Sequence, residues 1–432
     1  MHLQKHINQL APKWTSIRRD LHRHPEAGWT EYRTSAIIAD YLQQLGCYEV
    51  HVGPTVCKSS ARMGVPSLEE LALCEQRAIT EGANPRWIEK MVGGYTGVVG
   101  VLKTNRPGPT IAMRFDIDCI ELTESNSSDH RAFQENFAST HPGLMHGCGH
   151  DGHTTIGLGV AEILAHYQTE LSGEVRLLFQ PAEEGCRGAK AVVEAGWLDQ
   201  VDQLFCAHLF PNDNFQVAGA IHGFLATTKI DATFHGKASH AGATPELGKN
   251  ALLAAATATV QLNTIPRHSG GASRINVGTL IAESGRNVIA DEATMKLETR
   301  GETTEINHYM REQAVNILHA SAQMYDVTCN WRLAGEGDHG TSSRDLIPLI
   351  GEKVDQIKQK VTFIPEMTIR AGSEDAIYML NKVQEQGGQA VYMGISGPPP
   401  APTAPHQKNY DFHEDLIAIG VELFSRIALS TE

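Results

Sequence analysis

The stretch Met145-His146-Gly147-Cys148-Gly149-His150-Asp151-Gly152-His153 places three histidines, one cysteine and one aspartate within nine residues. Imidazole and thiolate are preferred ligands of zinc, and carboxylate adds affinity for manganese. Cys148 and His150 are two residues apart, so they can point to the same side of a looped backbone but would diverge on a helix. The glycines also favour a loop, because glycine tolerates strained backbone angles. The stretch therefore predicts a metal-binding loop.

Polar residues also follow several predicted strands at the point where each strand ends. A strand at 110–115 precedes Asp116 and Asp118, and a strand at 203–207 precedes His208. A third strand, at 175–179, leads into the turn Gln180-Pro181-Ala182-Glu183-Glu184-Gly185. Because α/β proteins place their sites at strand ends, we expect these residues and the Cys148 loop to share one rim of a sheet. The two aspartates can equally be capping residues of a turn.

The order of elements changes after residue 226. Predicted strands at 229–234, 273–282, 288–299 and 327–333 combine with helices at 249–262 and 305–325 in the order βαββαβ. This order is that of the ferredoxin-like fold, which forms a complete small domain. We therefore expect an α/β protein with two domains. Residues 1–226 and 335–432 form the larger one, with a mixed central sheet flanked by helices, and residues 227–334 form an inserted α+β domain.

Two further segments have a distinct composition. Residues 3–45 are predicted to be helical, and within them the clustered histidines and charges from Arg18 to Glu26 are interpreted as a solvated face. Residues 57–96 are interpreted as an insertion between strands of the larger domain, with helices at 68–81 and 85–91.

Composition limits the possible partners and compartment. The 432 residues include 36 basic and 50 acidic side chains, a formal charge of -14, which argues against nucleic acid or an anionic membrane as the main partner. Neither a signal peptide nor a transmembrane stretch is evident. The eight cysteines form no Cys-x-x-Cys pair, which is typical of reduced thiols and leads us to expect a cytoplasmic protein that acts on small molecules.

With these elements assigned, the sequence resembles the M20 family of metal-dependent amidohydrolases and peptidases over nearly its whole length. The motifs that carry the resemblance are Arg18-Arg19-Asp20-Leu21-His22, residues 145–153, residues 180–185, Ala207-His208 and Gly236-Lys237-Ala238-Ser239-His240-Ala241. Within the family the sequence is similar to the aminoacylase, hippurate hydrolase and auxin-conjugate hydrolase branch. The resemblance implies a zinc-peptidase-like larger domain and a lid or dimerisation role for the inserted one.

The resemblance also implies a set of site residues. The metal ligands it implies are Cys148, His150, Glu184, His208 and His406. They would hold two divalent ions, Mn²⁺ or Zn²⁺, with Glu183 as the catalytic acid and base. His406 lies in an unusual proline-rich run, so His413 is the alternative for the last ligand. The motif departs from the family at Gly147, where alanine is more usual.

Other residues are expected to support this site. His240 is implied to reach the active site of a partner chain and stabilise the oxyanion. Asn276 and Arg286 are candidate anchors for the substrate carboxylate, since a guanidinium group binds carboxylate in a bidentate way; Arg286 can equally be a surface residue. The residues expected to orient the imidazoles, with turn capping as the alternative, are Asp116, Asp118 and Asp151.

The expected activity is hydrolysis of the amide bond of an N-acyl amino acid by a binuclear metal centre. Through the insertion and the runs at 271–278 and 284–288, the resemblance implies p-aminobenzoyl-glutamate as the first expected substrate. Hippurate, N-acetyl or indole-acyl amino acids and dipeptides are alternatives. A thiol hydrolase using Cys148 and His150 would leave three implied ligands without a role. A non-catalytic subunit would not need Glu183. The partner is expected to be an identical chain or a related second subunit.

Overall fold

The computed structural model describes residues 2–369 and 372–430, which form two compact units. The first unit contains the chain up to His222, Thr341–Ile369 and the residues from Asp375 onward. The second contains Gly223–Gly340 and residues 372–374. No helix in the described ranges has an apolar stretch of the length that a bilayer requires.

The elements are numbered in chain order. The strands are β1 (Glu49–Val52), β2 (Val98–Lys103), β3 (Thr110–Asp116), β4 (Glu174–Gln180), β5 (Gln203–Pro211), β6 (Gln216–His222), β7 (Ala226–His235), β8 (Ser273–Ile281), β9 (Glu292–Gly301), β10 (Thr328–Gly337), β11 (Thr362–Thr368) and β12 (Gln389–Gly397). The helices are α1 (His2–Arg23), α2 (Tyr32–Leu45), α3 (Leu68–Thr80), α4 (Pro85–Met91), α5 (Arg131–Gln134), α6 (His150–His166), α7 (Ala189–Glu194), α8 (Ala251–Leu262), α9 (Thr304–Met324), α10 (Ile347–Asp355), α11 (Ala376–Glu385) and α12 (Asp415–Ala428).

The framework of the first unit is an eight-stranded mixed sheet in the order β1-β2-β4-β3-β5-β12-β6-β11. Strand β3 runs parallel to both β4 and β5, so the carboxyl ends of these three strands lie at the same edge. That edge carries Asp116, the turn at 180–185 and His208. Helix α6 packs on β3 and against α1 and α12. Phe115 of β3 and Phe424 of α12 also contact each other, with ring centroids 5.3 Å apart. The predicted mixed sheet flanked by helices is confirmed.

Three strands of this sheet, β1, β6 and β11, were not predicted from the sequence. Strand β6 contains two alanines and Gly219, which have low strand propensity. Strand β11 contains Pro365, and it is tolerated because β11 lies at the edge of the sheet, where a strand can lack a ladder donor. The insertion has the two expected helices, α3 and α4, capped by the side chains of Ser67 and Asn84.

The second unit follows the order β7-α8-β8-β9-α9-β10. Its four strands form an antiparallel sheet in the order β10-β7-β9-β8. Helices α8 and α9 pack together, and their small side chains at Ala254, Ala258 and Ala314 are buried with Phe234 and Met295 of the sheet. This is the ferredoxin-like arrangement that the βαββαβ pattern predicted.

Candidate active site

Cys148 lies at the junction between a loop and helix α6. The helix begins at His150, and Gly149 precedes it with a φ of 94°. The sequence predicted a loop throughout this stretch, and that prediction is wrong for residues 150–153, which form the first turn of the helix. Cys148 and His150 can still converge because only the second of them is helical.

Gly152 explains why the prediction failed. A Cβ atom at this position would lie 2.6 Å from Leu209 Cδ1 and 2.6 Å from Phe412 Cζ. The residue is therefore glycine because strand β5 and the Phe412 ring approach the helix closely, and not because the backbone needs to turn.

Two histidines of the site have their ring protons fixed by backbone carbonyl groups. His150 Nδ1 lies 2.9 Å from the Asp118 carbonyl oxygen, and His208 Nδ1 lies 2.8 Å from that of Leu209. Because a carbonyl oxygen only accepts, each Nδ1 carries the proton and each Nε2 presents a lone pair. His208 Nε2 lies 3.3 Å from Cys148 Sγ. This is the tautomer that a metal ligand requires.

The residues implied as ligands form two overlapping groups of donor atoms. The first contains Cys148, His150 and His208, and the second contains Cys148, Glu184 and His406, with all atoms of a group within 4.8 Å of one another. Cys148 belongs to both groups. This arrangement can hold two ions that share a thiolate.

The structure places His406 in this cluster and His413 elsewhere. His406 Nε2 lies 3.4 Å from Glu184 Oε1, and its backbone N–H donates to Gly147 O at 2.8 Å. The ring of His413 packs on Phe215 with centroids 5.2 Å apart. Within residues 2–369 and 372–430, His413 belongs to none of the groups of potential metal ligands.

The electrostatics of the cluster fit a cation. The neighbouring side chains of Cys148 and Glu184 raise the pKa of His406 to about 10. His150 Nε2 and Glu184 Oε1 are buried, neither makes a hydrogen bond of good geometry to the described residues, and Glu184 Oε1 keeps the long ion-pair contact with His406. Buried polar atoms of native proteins are nearly always paired, so two such acceptors beside a thiol match the donor set of a divalent metal.

Asp118 holds the turn that carries the two adjacent glutamates. Its Oδ1 accepts the backbone N–H of Glu183 at 3.1 Å, and its Oδ2 accepts that of Glu184 at 3.0 Å. Its Oδ1 also lies 3.3 Å from His150 Nδ1. One buried carboxylate thus fixes His150 and both glutamates relative to one another.

Asp116 contacts a histidine outside the implied ligand set. His153 Nε2 accepts the Leu209 backbone N–H at 2.8 Å, so the proton resides on Nδ1, which donates to Asp116 Oδ1. Arg114 Nη1 pairs with Asp116 Oδ2 at 2.7 Å. Because both ring nitrogens of His153 are used, this histidine joins α6 to β5 and is not available to a metal.

The prediction of a solvated face for the segment from Arg18 to Glu26 is wrong for Arg18, His22 and Glu26, which are buried, although Arg23 is exposed. Arg18 and His22 are both 0% exposed. Arg18 pairs with Asp151 at 2.8 Å and Asp411 at 2.9 Å, and His22 lies 2.8 Å from Asp151 and 2.9 Å from Glu124. Burial and Arg18 lower the pKa of His22, but hydrogen bonds to Asp151 and Glu124 outweigh them and raise it to about 9. Asp151 therefore orients His22 and not an implied ligand.

A signal for this burial is present in the sequence. Trp14, Arg18, Leu21 and His22 have the i, i+4, i+7, i+8 spacing of one helical face, and Trp14 and Leu21 are buried. The charged residues therefore share the apolar face of α1. Their acidic partners, distant in sequence, could not be identified from this pattern.

His240, Asn276 and Arg286 belong to the second unit. His240 Nδ1 accepts the backbone N–H groups of Gly242 at 3.1 Å and Ala243 at 3.0 Å, so its exposed Nε2 carries the proton and can donate. Asn276 lines a small cleft with Arg274, Ile275, Glu298 and Arg300. Arg286 lies in the exposed loop between β8 and β9.

The comparisons with known proteins cover most or nearly all of the chain. Residues 112–430 match the profile of peptidase family M20/M25/M40. An indole-3-acetyl-aspartic acid hydrolase from Enterobacter agglomerans is 44% identical, and one of the subunits of p-aminobenzoyl-glutamate hydrolase from Escherichia coli strain K12 is 43% identical; each alignment covers 99% of this chain and 98% of the relative. The crystal structure of an aminobenzoyl-glutamate utilization protein from Klebsiella pneumoniae is 39% identical with a TM-score of 0.83, covering 99% of this chain and 98% of that chain.

Proposed function

The chain belongs to peptidase family M20/M25/M40, and from that premise we propose that it hydrolyses p-aminobenzoyl-glutamate to p-aminobenzoate and glutamate. It is a metal-dependent amidohydrolase. The choice of substrate is supported by full-length similarity to two proteins named for aminobenzoyl-glutamate, the Escherichia coli hydrolase subunit at 43% identity and the Klebsiella pneumoniae structure at 39%. A non-catalytic role is disfavoured because the Enterobacter relative is itself named as a hydrolase and because this chain keeps Glu183 beside Glu184.

The proposed metal ligands are Cys148, His150, Glu184, His208 and His406, and the ions are Mn²⁺ or Zn²⁺. When bound, a pair of such ions lowers the pKa of a water molecule and polarises the amide carbonyl. The proposal is supported by the convergence of these side chains around Cys148 and by the two buried acceptors that lack a good hydrogen bond in the described ranges.

Glu183 is proposed to accept the proton of the attacking water and to deliver it to the leaving nitrogen. General acid–base catalysis of this kind contributes about 10² to 10⁴ in rate. Glu183 is suited to this role because its backbone is held by Asp118, and its carboxylate lies in one group with His150 and Glu184. A thiol mechanism would instead need Cys148 as nucleophile, although its sulfur is shared by two groups of potential ligands.

The second unit, predicted as residues 227–334, is proposed to act as a lid and dimerisation domain. Its His240, with the proton on Nε2, would donate to the oxyanion in the active site of a partner chain. Asn276 and Arg286 are proposed to bind the substrate carboxylate. The partner is a second copy or a related chain, and the latter is supported by the Escherichia coli relative, which is named as one of the subunits of its hydrolase. The proposed compartment is the cytoplasm.

Indole-3-acetyl-aspartate is the second candidate substrate, because the hydrolase of that compound from Enterobacter agglomerans is 44% identical to this chain. The two candidates share an aromatic acyl group and an acidic amino acid. They differ in the size of the aromatic group and in one methylene of the amino acid.

The test is to strip the protein with a chelator and to measure release of p-aminobenzoate and of indole-3-acetate, before and after adding Mn²⁺ or Zn²⁺. We expect activity only with metal, and a higher kcat/KM for p-aminobenzoyl-glutamate. A higher kcat/KM for indole-3-acetyl-aspartate would replace the first candidate with the second. Full activity after chelation, abolished by a thiol-alkylating reagent, would overturn the metal mechanism.

A further inference from the structure

The turn that carries Glu183 and Glu184 depends on a third acidic residue that the proposed mechanism does not use. Ala182 immediately precedes Glu183 and has a φ of 53°, in the left-handed region that non-glycine residues seldom adopt. Its backbone N–H donates to Glu31 Oε1 at 2.8 Å. Glu31 lies 151 residues earlier, at the start of helix α2.

The Glu31 carboxylate is itself fixed on its other side. Glu31 is 0% exposed, and its Oε2 accepts a hydrogen bond from the Thr96 hydroxyl at 2.5 Å. Thr96 is also 0% exposed, and its carbonyl oxygen accepts from the Ser35 hydroxyl. With both oxygens engaged by buried groups, the carboxylate cannot rotate away from Ala182.

Three consecutive backbone N–H groups of the turn are therefore held by buried carboxylates. Glu31 holds Ala182, and Asp118 holds Glu183 and Glu184. The Asp118 contacts hold the backbone of Glu183 and Glu184 at the edge of the sheet. The Glu31 contact holds Ala182, the residue with the left-handed backbone conformation. The direction of the Glu183 side chain depends on both.

We propose that Glu31 is a positioning residue for hydrolysis, which aims Glu183 by holding the Ala182 backbone in its left-handed conformation. This inference rests on the proposed role of Glu183 as acid and base. Proton transfer is sensitive to placement, and a displacement of about 1 Å can reduce the rate about 10²-fold. Binding of substrate does not require the same precision, so kcat should change more than KM.

The test compares Glu31→Ala with Glu31→Gln in metal-loaded protein. Gln keeps an oxygen that can accept from Ala182, with its amide group facing the Thr96 hydroxyl, whereas Ala leaves the Ala182 N–H without an acceptor. With p-aminobenzoyl-glutamate as substrate, we expect Glu31→Ala to lower kcat about 10- to 100-fold with KM within about two-fold. Glu31→Gln should stay within about three-fold of wild type, and metal content should be unchanged in both.

Hydrogen exchange supplies a readout that does not depend on activity. A peptide spanning residues 180–187 should exchange faster in Glu31→Ala than in wild type and should remain protected in Glu31→Gln. Glu26→Ala is the matched control. Glu26 is equally buried, but it accepts the N–H groups of Arg33 and Thr34 at the start of α2, so its removal should lower stability without accelerating exchange in this peptide.

Unchanged exchange at 180–187 in Glu31→Ala, or equal loss of kcat in Glu31→Ala and Glu31→Gln, would overturn the proposal. If Glu31→Ala does not fold, Glu31→Asp decides, because it keeps the carboxyl group but withdraws it from Ala182 by one methylene. Glu31→Asp should show faster exchange and lower kcat, and wild-type values for both would count against the inference. Inactive wild-type protein with altered exchange in Glu31→Ala would refute the proposed substrate and leave the positioning role intact.

Discussion

Replacing Arg18 by methionine removes the central cation of the buried network beneath the active site. The guanidinium group is 0% exposed, pairs with Asp151 and Asp411, and lies 4.4 Å from the centre of the Phe412 ring. Methionine keeps much of the apolar stem but leaves both carboxylates without this partner. Removing one member of a buried ion pair costs about 3–5 kcal/mol. This is a large part of the roughly 5–15 kcal/mol that stabilises a typical domain.

The assay is urea unfolding of the metal-loaded protein at neutral pH, followed by tryptophan fluorescence, with Arg19→Met as the matched control. Arg19 pairs with Glu414 and Glu135, and its side chain is 31% exposed. Pairs that retain this much contact with solvent contribute about 0–1 kcal/mol. Arg18→Met should therefore destabilise the protein at least three times as much as Arg19→Met.

A loss of less than about 1 kcal/mol in Arg18→Met would refute the reasoning, because even the lower limit for a broken buried pair is larger. Such a result would mean that Asp151 and Asp411 take up protons or recruit water at little cost. The pH dependence of the variant separates these cases, since protonation of the two carboxylates would make Arg18→Met relatively more stable in acid.

Other contacts of the site region lead to three more expected outcomes. The pKa of His22 is about 9 in the folded protein against an ordinary value of 6.5, so its contribution to stability is fully present below pH 6.5 and lost as the pH rises through 9. The urea midpoint should therefore fall between pH 6 and 10 in wild type and fall less in His22→Gln. Equal falls in the two proteins would contradict this expectation. Glu183→Gln should retain metal and lose about 10²-fold or more in kcat, whereas Glu184→Ala should lose metal, as measured by elemental analysis; the reverse pattern would exchange their roles. Gly152→Ala should lower the free energy of unfolding by about 1–3 kcal/mol, since its Cβ would lie 2.6 Å from Leu209 and Phe412. Gly143→Ala has open space around its Cβ but a φ of 81°, so it should lose about 1 kcal/mol from backbone strain. Comparable thermal shifts for the two variants would argue against the packing role of Gly152.

The elements that the sequence predicted correctly are those with local signals. The βαββαβ order of the second unit follows from hydrophobic periodicity, which depends on neighbouring residues alone. The convergence of the Cys148 loop, the turn at 180–185 and His208 followed from placing them at strand ends, a rule that needs only the identity and order of the strands. The predicted end of β5 was wrong, because the strand continues through His208 to Pro211. Strand β11 was not predicted because Pro365 weakens the local strand signal. The proline is tolerated because β11 lies at the edge of the sheet.

The features that could not be predicted depend on contacts between distant residues. Arg18 resembles a surface residue until Asp411 is placed beside it, and Glu31 resembles an ordinary helix-terminal acid until Ala182 is placed beside it. In both cases the deciding partner is more than 150 residues away, and no periodicity or motif indicates it. Gly152 was misread for a related reason, since a glycine required by a neighbouring strand looks the same in sequence as a glycine required by a turn.

The pairing of Arg18 with Asp411 sets an order of events during synthesis on the ribosome. The two residues are 393 positions apart, and His406, a proposed ligand, is also late in the chain. At a translation rate of about 5–20 residues per second, Asp411 is synthesised roughly 20 to 80 s after helix α1. During that interval the first unit is incomplete and the ligand set lacks a member. Metal loading is therefore expected only after the segment that contains His406 has been synthesised, and α1 is the segment that a chaperone would need to shield until Asp411 is available.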